Sequence, residues 1–333
     1  MTWRNEVNQT SMGGTELMME KLISELGEDV LKTFQIIPSR VRELDENKIR
    51  VLWCHDLPQD PESHHLKNGG WRNFHKIVFC SHWQQQRYLE EYGIPWDRTC
   101  VMKNAIDPID VDLDKKFNTE KDSIRFVYHT TPHRGLALLV PVFDKLCEQY
   151  TNIHLDVFSS FKIYGWDKRD EQFQELFDQI ENHENMTYHG FVPNQEIKEH
   201  LKNADVFAYP NIWPETSCIS LMEAMSAGCL CIHPNYAALY ETASNWTFMY
   251  NYIEDHNKHA NFFYNMMEQS IHVLNEKSDS LKIKLKGQKS YADLYYNWEV
   301  RKNEWSDLLK SLEHLPRPIE KDTTEEIFTY KVG

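Results

Sequence analysis

Short apolar runs alternate with amphipathic stretches along most of this chain, and the alternation occurs in two separate series. In the first series the apolar runs lie at residues 31–37, 49–55, 76–80 and 99–104, with a helical pattern at 83–92. Such alternation predicts a parallel sheet whose strands are joined by crossover helices. The first series therefore indicates one α/β domain.

The second series follows a polar stretch without periodicity, Asp107 to Asp122, which we interpret as a linker. The chain has 333 residues, more than one hydrophobic core usually serves. We therefore expect two doubly wound, Rossmann-like domains, residues 1–115 and 122–290, that face each other across a central cleft. The apolar runs of the second series are 124–129, 154–160, 186–191, 205–210, 229–234 and 246–250, and its helical patterns are 135–150, 171–182, 194–203 and 217–227.

The C-terminal segment is helical in pattern rather than alternating. The sequence WEVRKNEWSDLLKSL predicts an amphipathic helix. We expect this helix, within residues 291–333, to pack back on the first domain, and the tail after Pro316 to be loosely held.

The net charge of −15 limits the classes of ligand. Nonspecific binding of nucleic acid requires a surplus of Lys and Arg on one face, so we expect no nucleic-acid partner. An acidic chain can still bind a phosphate locally, through helix N-termini, backbone amides and one or two cationic side chains.

The expected location is the cytoplasm. The first residues, MTWRNEVNQTS, have neither the basic segment nor the apolar core of a secretory signal, and no apolar run approaches the roughly 18 residues of a membrane helix. Cys229 and Cys231 could be half of a metal site, but no Cys/His pair with zinc-type spacing accompanies them. Six of the seven cysteines lie in apolar runs, as reduced core residues do: Cys54, Cys80, Cys100, Cys147, Cys229 and Cys231.

The segment 205–243 predicts a phosphate-binding helix N-terminus. A strand ends near Tyr209, a loop follows, and a helix begins near Ser217 with Thr216 or Ser217 as its N-cap. The free amides after such a cap favour a diphosphate by hydrogen bonding and by the helix dipole, and they belong to Cys218, Ile219 and Ser220.

Two glutamates with seven residues between them flank this helix start. Glu215 precedes the helix and Glu223 lies two turns later, so both can face one elongated ligand. Glu223 could equally be a solvated residue on the helix surface. Its apolar neighbours Leu221, Met222 and Met225 favour a buried position, where a carboxylate needs a partner.

A second motif, FVYHTTPHRGLALLV, spans residues 126–140 and predicts a strand, a turn and a helix opened by Gly135. Arg134 therefore stands at a helix N-terminus on the same side of the sheet as Glu215. A guanidinium there can bind two phosphate oxygens in a bidentate manner.

Two weaker signals lie in the first domain. Gly13 and Gly14 precede a helical run, where they permit close backbone approach to a phosphate or sugar, although a plain turn capped by Thr15 also explains them. His55 ends an apolar run beside Asp56 and is either a site residue at a strand's carboxyl end or a structural hydrogen-bonding histidine.

Together these motifs resemble the signature of family 4 glycosyltransferases, which have the GT-B fold. The resemblance implies that Glu215 binds hydroxyls of the donor sugar, that Glu223 binds the ribose, and that Arg134 contacts the diphosphate. The family commonly has an arginine five positions before this cation, and His129 stands there instead. A histidine that is neutral near pH 7 would leave one phosphate contact in doubt.

The same resemblance assigns three further positions. It implies that the loop of Gly13 and Gly14 closes over the donor, that His55 lies near the transferred sugar, and that the nucleotide base packs near Phe191, which could also be a core aromatic. We expect the first domain to be reduced relative to the family, because the eleven residues MTWRNEVNQTS barely suffice for the strand that the family has before this loop.

The implied activity is retaining transfer of a hexose-type sugar from a UDP- or GDP-sugar to a glycan or other hydroxyl acceptor. The implied route is front-face attack without a metal or other cofactor. Two alternatives remain open. One is another GT-B enzyme, a phosphorylase or an epimerase, although no motif for a pyridoxal-phosphate lysine is visible. The other is a non-catalytic scaffold that binds nucleotide sugars, which measured turnover would distinguish.

Overall fold

The strands form two parallel sheets in the computed structural model, which describes residues 11–119, 122–317 and 319. The strands of the first sheet are β1 (Phe34–Pro38), β2 (Ile49–Cys54), β3 (Lys76–Phe79) and β4 (Thr99–Val101), in that spatial order. The helices around this sheet are α1 (Gly14–Leu26), α2 (Val30–Thr33) and α3 (His82–Tyr92), with 3-10 segments at Pro61–Asn73 and Trp96–Arg98.

The second sheet has the order β10-β9-β8-β5-β6-β7, from strands β5 (Ile124–His129), β6 (Ile153–Phe158), β7 (Met186–Tyr188), β8 (Val206–Ala208), β9 (Leu230–Pro234) and β10 (Phe248–Tyr250). Its helices are α4 (Leu113–Asn118), α5 (Leu136–Cys147), α6 (Gln174–Glu181), α7 (Asn194–Asn203), α8 (Ile219–Ser226), α9 (Leu239–Ala243), α10 (His256–Glu276) and α11 (Asp279–Tyr295), with 3-10 segments at Pro132–Arg134, Phe161–Tyr164 and Asp167–Phe173. The predicted α/β fold with two Rossmann-like sheets is confirmed.

The order of the second sheet has a functional consequence. Its first three strands build outward from β5 in one direction, and the next three build outward from β8 in the other. β5 and β8 are neighbours, so the chain leaves them toward opposite sides and opens a crevice beyond their carboxyl ends. Open α/β sheets bind ligands at such a switch point.

The C-terminal helix α12 (Trp298–Leu312) packs on the first domain. Trp305 is fully buried and its ring lies 4.9 Å from that of Trp53 in β2. Beyond this helix, the expected tail lies outside the described residues except for Pro316, Arg317 and Ile319.

The change from one domain core to the other occurs between Ala105 and Ile106. The chain passes between the domains a second time after Tyr296, at the start of α12. The Ile106 amide donates to the Tyr296 carbonyl at 2.7 Å, so the two points of passage lie side by side. The first crossing comes ten residues before the boundary expected at 115. The C-terminal segment returns to the first domain at 298 rather than 291, because α11 still packs in the second core.

Two predicted elements differ from the structure in type as well as in bounds. Residues 31–33 end helix α2, and the strand expected at 31–37 begins only at Phe34. The helix expected at 171–182 is divided into the 3-10 segment Asp167–Phe173 and α6. None of the helices described is long and apolar enough to cross a membrane.

Candidate functional site

The crevice at the switch point is lined by the loops that follow β5 and β8. The first loop carries Arg134 immediately before α5, and the second carries Glu215 shortly before α8. Both expected residues therefore lie beyond the carboxyl ends of neighbouring strands, where the sequence placed them.

Arg134 and Glu215 form an ion pair across these two loops. Arg134 Nη1 donates to Glu215 Oε1 at 2.6 Å, and the Tyr209 hydroxyl donates to the same oxygen at 2.5 Å. Both bonds fall on Oε1, which leaves Oε2 as an acceptor for a ligand hydroxyl. Burial alone would lower the pKa of Arg134, but Glu215 and the neighbouring tyrosines raise it, so the guanidinium is charged. Its Nε is buried without a hydrogen-bond partner.

Gly135 allows the two loops to approach this closely. Its φ is +126°, and a Cβ atom built there would lie 2.2 Å from the Pro210 carbonyl oxygen. Any side chain at this position would push the two loops apart, which explains the glycine after Arg134.

Helix α8 begins two residues later than predicted. Its N-cap is Cys218, without a side-chain capping bond, so the expectation of Thr216 or Ser217 as cap is wrong. The reason lies across the cleft, where the Thr216 hydroxyl donates instead to the His55 carbonyl at 2.8 Å. The side chain at the cap position therefore accepts no hydrogen bond from the amides at the start of α8. These amides can donate to an anion instead.

The first turn of α8 is tied to the end of β5. The Ser220 hydroxyl donates to the His129 carbonyl at 2.9 Å, and Ile219 contacts the first domain near Gly14. The three residues expected at this helix start, Cys218, Ile219 and Ser220, therefore lie together at the switch point.

Glu223 is buried, with 3% of its surface exposed, so the alternative of a solvated surface glutamate is wrong. Asn194 Nδ2 donates to both carboxylate oxygens, at 2.9 and 3.2 Å, and Lys198 Nζ lies 4.0 Å away. Burial raises the pKa of Glu223 to about 7, against the opposing influence of Asn194 and Lys198. The carboxyl group therefore changes charge near neutral pH.

His129 is buried and neutral. Burial lowers the pKa of His129 to about 3, and its ring lies 5.0 Å from that of Phe207. Its Nε2 is buried without a hydrogen-bond partner. A neutral imidazole cannot supply the charge of a second arginine to a phosphate.

The glycine loop reaches across the cleft to the second domain. A Cβ atom on Gly13 would lie 2.5 Å from Tyr164 Cε1, and one on Gly14 would lie 3.1 Å from Ile219 Cδ1. The Met12 amide donates to the Ile163 carbonyl at 2.8 Å. Helix α1 begins at Gly14 with Gly13 as its cap, so the alternative of a Thr15 cap is wrong.

His55 lies at the cleft directly after β2. Burial lowers the pKa of His55 to about 3, its Nδ1 lies 3.5 Å from Cys80 Sγ, and its Nε2 is buried without a hydrogen-bond partner. With its carbonyl bound to Thr216, the residue is at the contact between the two domains as well as at the end of a strand.

Phe191 is half-buried in the loop between β7 and α7. The loop begins at His189, whose ring stacks on Phe158 at 4.2 Å, and leads to Asn194, the partner of Glu223. Phe191 therefore lies on the approach to the buried carboxyl group.

A further contact joins the domains beside the cleft. Glu241 of α9 accepts hydrogen bonds from the amides of His82 and Trp83, at 3.0 and 3.1 Å, at the N-terminus of α3. Lys103 donates to the same carboxylate. Burial opposes the charge, but Lys103 and the amides lower the pKa of Glu241 to about 2. This contact could not be predicted from the sequence, because it joins residues 159 positions apart.

Metal ligands are not grouped in the part of the chain that the structure describes. No set of three or more His, Cys, Asp or Glu residues there is arranged to hold an ion. None of the seven cysteines, all of which lie among the described residues, forms a disulfide.

Comparison with known proteins adds family evidence to this geometry. Residues 111–262 match the family model described as Glycosyl transferases group 1. A curated relative, an uncharacterized glycosyltransferase of Methanocaldococcus jannaschii, is 26% identical over 165 residues. That alignment covers 46% of this chain and 40% of the relative, less than half of either protein.

Solved structures share the fold over most of the chain. A glycosyltransferase from Rickettsia africae has a TM-score of 0.68 at 15% identity, covering 91% of this chain and 81% of its own. HepE from Anabaena, solved in complex with UDP-glucose, has a TM-score of 0.61 at 12% identity, with coverage of 86% and 82%. The fold of this chain is therefore GT-B.

Proposed function

We propose that this protein, whose residues 111–262 match the group 1 glycosyltransferase model, transfers a hexose-type sugar from a UDP- or GDP-sugar to a hydroxyl group of a glycan or other acceptor. We further propose that the transfer proceeds with retention and without a metal. One observation carries the proposal. The charged Arg134 and the carboxylate of Glu215 form an ion pair at the switch point of the second sheet, beside the N-terminus of α8.

The donor would bind across the second domain. Arg134 would transfer its hydrogen bond from Glu215 to the diphosphate, and its Nε adds a donor that is not bonded to any of the described residues. Glu215 Oε2 suits a sugar hydroxyl, and the Glu223 carboxylate suits the paired hydroxyls of ribose. The UDP-glucose complex of Anabaena HepE, which shares the fold, supports a nucleoside-diphosphate donor.

The proposed reaction is a front-face displacement. The bond between the anomeric carbon and the phosphate oxygen breaks, and its electron pair stays on the leaving diphosphate. The acceptor hydroxyl adds to the anomeric carbon from the same face, while its proton passes to the leaving phosphate oxygen. The protein's part is to stabilise the negative charge that builds on this phosphate, through Arg134 and the helix amides.

Glu215 is poorly placed to act instead as a nucleophile. Its Oε1 accepts from Arg134 and from Tyr209, and these two bonds restrict the movement of the carboxylate. A double displacement of the kind used by retaining glycosidases needs a carboxylate free to form a covalent bond. The pairing of Glu215 therefore favours the front-face route.

His55 lies on the first-domain side of the cleft, and an exposed aromatic ring lies in the loop that carries Glu215. Trp213, 40% exposed, stands two residues before Glu215, and its ring lies edge-on to that of His133 at 4.7 Å. The Trp213 amide donates to Asn211 Oδ1 at 2.9 Å, which restrains the backbone of this loop. An exposed indole beside the site supports a carbohydrate acceptor. Trp213→Ala should then raise the KM for the acceptor without changing nucleotide binding, and an unchanged KM would refute this part.

A thermal-shift screen tests the donor site. UDP-, GDP- and dTDP-sugars are added to the wild type and to Glu223→Ala, each with and without EDTA, because a ligand that binds only the native state raises the melting temperature. We expect UDP- or GDP-sugars to stabilise the wild type regardless of EDTA, and not the variant. Stabilisation that requires a divalent metal, or none with any nucleotide, would contradict the proposal.

A further inference from the structure

Tyr164 lies between the glycine loop of the first domain and the phosphate clamp of the second. Its hydroxyl group is 3.5 Å from Arg134 Nη2. Its ring fills the space above Gly13, where a Cβ atom would be 2.5 Å from Cε1. The phenol therefore lies beside the guanidinium that would hold a diphosphate and next to the loop that would cover it.

The backbone around Tyr164 holds the ring in this position. The residue ends the 3-10 segment Phe161–Tyr164, whose cap Ser160 accepts from the Lys162 amide at 2.9 Å. The Ile163 carbonyl accepts from Met12 of the other domain, and the Trp166 ring lies 5.1 Å from that of Tyr164. Both domains thus fix the orientation of the phenol.

The phenol keeps its proton at neutral pH. Burial raises the pKa of Tyr164, and nearby carboxylates including Glu215 and Glu16 raise it further, against the opposing charge of Arg134. A protonated phenol is a hydrogen-bond donor. Two donors about 3.5 Å apart can both reach one phosphate oxygen at ordinary hydrogen-bond lengths of about 2.7 to 2.9 Å.

We propose that Tyr164 is a donor-binding residue that hydrogen-bonds the diphosphate of the nucleotide sugar together with Arg134. His129, the other residue expected at the phosphates, is buried against Phe207 and carries no charge there. The hydroxyl group of Tyr164 supplies the second contact from the segment that follows β6. This inference rests on the proposed function, since it needs a diphosphate in that crevice.

The opposite possibility is that the Tyr164 side chain blocks the diphosphate from reaching Arg134. In that case Tyr164 would compete with the donor for Arg134, and removing the hydroxyl group would strengthen diphosphate binding. The two possibilities predict changes of opposite sign in the same measurement.

Isothermal titration calorimetry in EDTA separates them, with the full chain as wild type, Tyr164→Phe and Tyr188→Phe. Tyr188 is the matched control, because its hydroxyl donates to the Ser159 carbonyl at 2.8 Å in the same domain. The probes are UDP and UMP, and GDP and GMP. We expect Tyr164→Phe to weaken binding of the diphosphate by about tenfold, and binding of the monophosphate by clearly less. Tyr188→Phe should bind both like the wild type.

The outcomes distinguish this inference from the function on which it rests. Unchanged or tighter diphosphate binding by Tyr164→Phe would overturn the role of Tyr164 and leave the donor site standing. Equal losses for diphosphate and monophosphate would also overturn it, because they indicate a general change in the pocket. Failure of the wild type to bind either diphosphate would refute the proposed function itself, and this inference with it.

Discussion

Arg134 and Glu215 are joined by a hydrogen bond of 2.6 Å although 81 positions separate them in the chain. They meet because β5 and β8 are neighbours from which the chain departs in opposite directions. Each residue is therefore the partner of the other, and a donor that binds here must compete for both.

Replacement of Arg134 tests the phosphate clamp. We expect Arg134→Met to lower kcat by about 10²- to 10³-fold, the usual effect of removing one preorganised donor from a developing negative charge. Turnover is measured by release of the nucleoside diphosphate. Arg125→Met is the matched control, because Arg125 pairs with Asp156 at 2.7 Å in the same domain but at the other end of β5. Equal losses in the two variants would indicate a stability effect and refute the assignment.

Nucleotide affinity should depend on pH through Glu223. Only the ionised carboxylate can accept both ribose hydroxyls, and burial raises the pKa of Glu223 to about 7. We therefore expect the affinity for the nucleoside diphosphate to rise as the pH increases from 6 to 8, by calorimetry in EDTA. The rise should be absent in Glu223→Gln. A wild-type profile parallel to that of the variant would contradict this role.

The same group should lower stability at high pH in the free protein. The pKa of Glu223 is about 7 in the folded protein, above its ordinary value of 4.5. The protonated carboxyl group therefore contributes its full stabilisation below pH 4.5, and this contribution is lost as the pH rises through 7. Relative to Glu223→Gln, the free energy of unfolding should fall by up to about 3 kcal/mol over this range. Urea denaturation at several pH values measures the difference, and a constant difference would refute the shifted pKa.

Gly135 should tolerate no side chain. Gly135→Ala combines a left-handed-region φ of +126° with a contact of 2.2 Å to the Pro210 carbonyl oxygen, so we expect a loss of roughly 3 kcal/mol or more. Gly27→Ala is the control, since Gly27 has a φ of +84° and nothing within 4 Å of the added Cβ atom. That variant should lose only about 1 to 2 kcal/mol. Equal midpoints of urea denaturation for Gly135→Ala and Gly27→Ala would show that the close approach of the two loops does not limit stability.

Glu241 should hold the two domains together. Glu241→Gln removes the charge that caps α3 and pairs with Lys103, and we expect it to lower the free energy of unfolding by about 1 to 3 kcal/mol at pH 7. Because the folded pKa of about 2 is below the ordinary 4.5, this difference should disappear as the pH falls from 4.5 toward 2. Small-angle scattering should also detect a larger radius of gyration. Asp307→Asn, which alters an exposed carboxylate, is the control.

Much of the fold could be predicted because its elements have distinct periodicities. The strand 124–129 and the helix 194–203 were predicted with the bounds that the structure has. The run 31–37 was assigned wholly to a strand, since a short apolar run does not by itself distinguish a strand from the last turn of a helix. Local pattern thus determined the elements but not all of their ends.

The site was predictable where it depends on position along the chain. Arg134 and Glu215 follow strands, and strand ends of a parallel sheet meet at one edge. The partners Tyr209 and Asn194 were not predicted, because their contacts depend on how loops approach in space. The bond from Asn194 to Glu223, for example, spans 29 positions and two separate helices.

Proton NMR of donor hydrolysis tests the central claim most directly. The wild type is incubated in EDTA with the α-linked UDP- or GDP-hexose that it binds, and the first sugar released is observed before mutarotation. We predict metal-free turnover in which the α-anomer appears first, because water attacks the anomeric carbon from the face that the diphosphate leaves. First appearance of the β-anomer, or turnover only after a divalent metal is added, would contradict it.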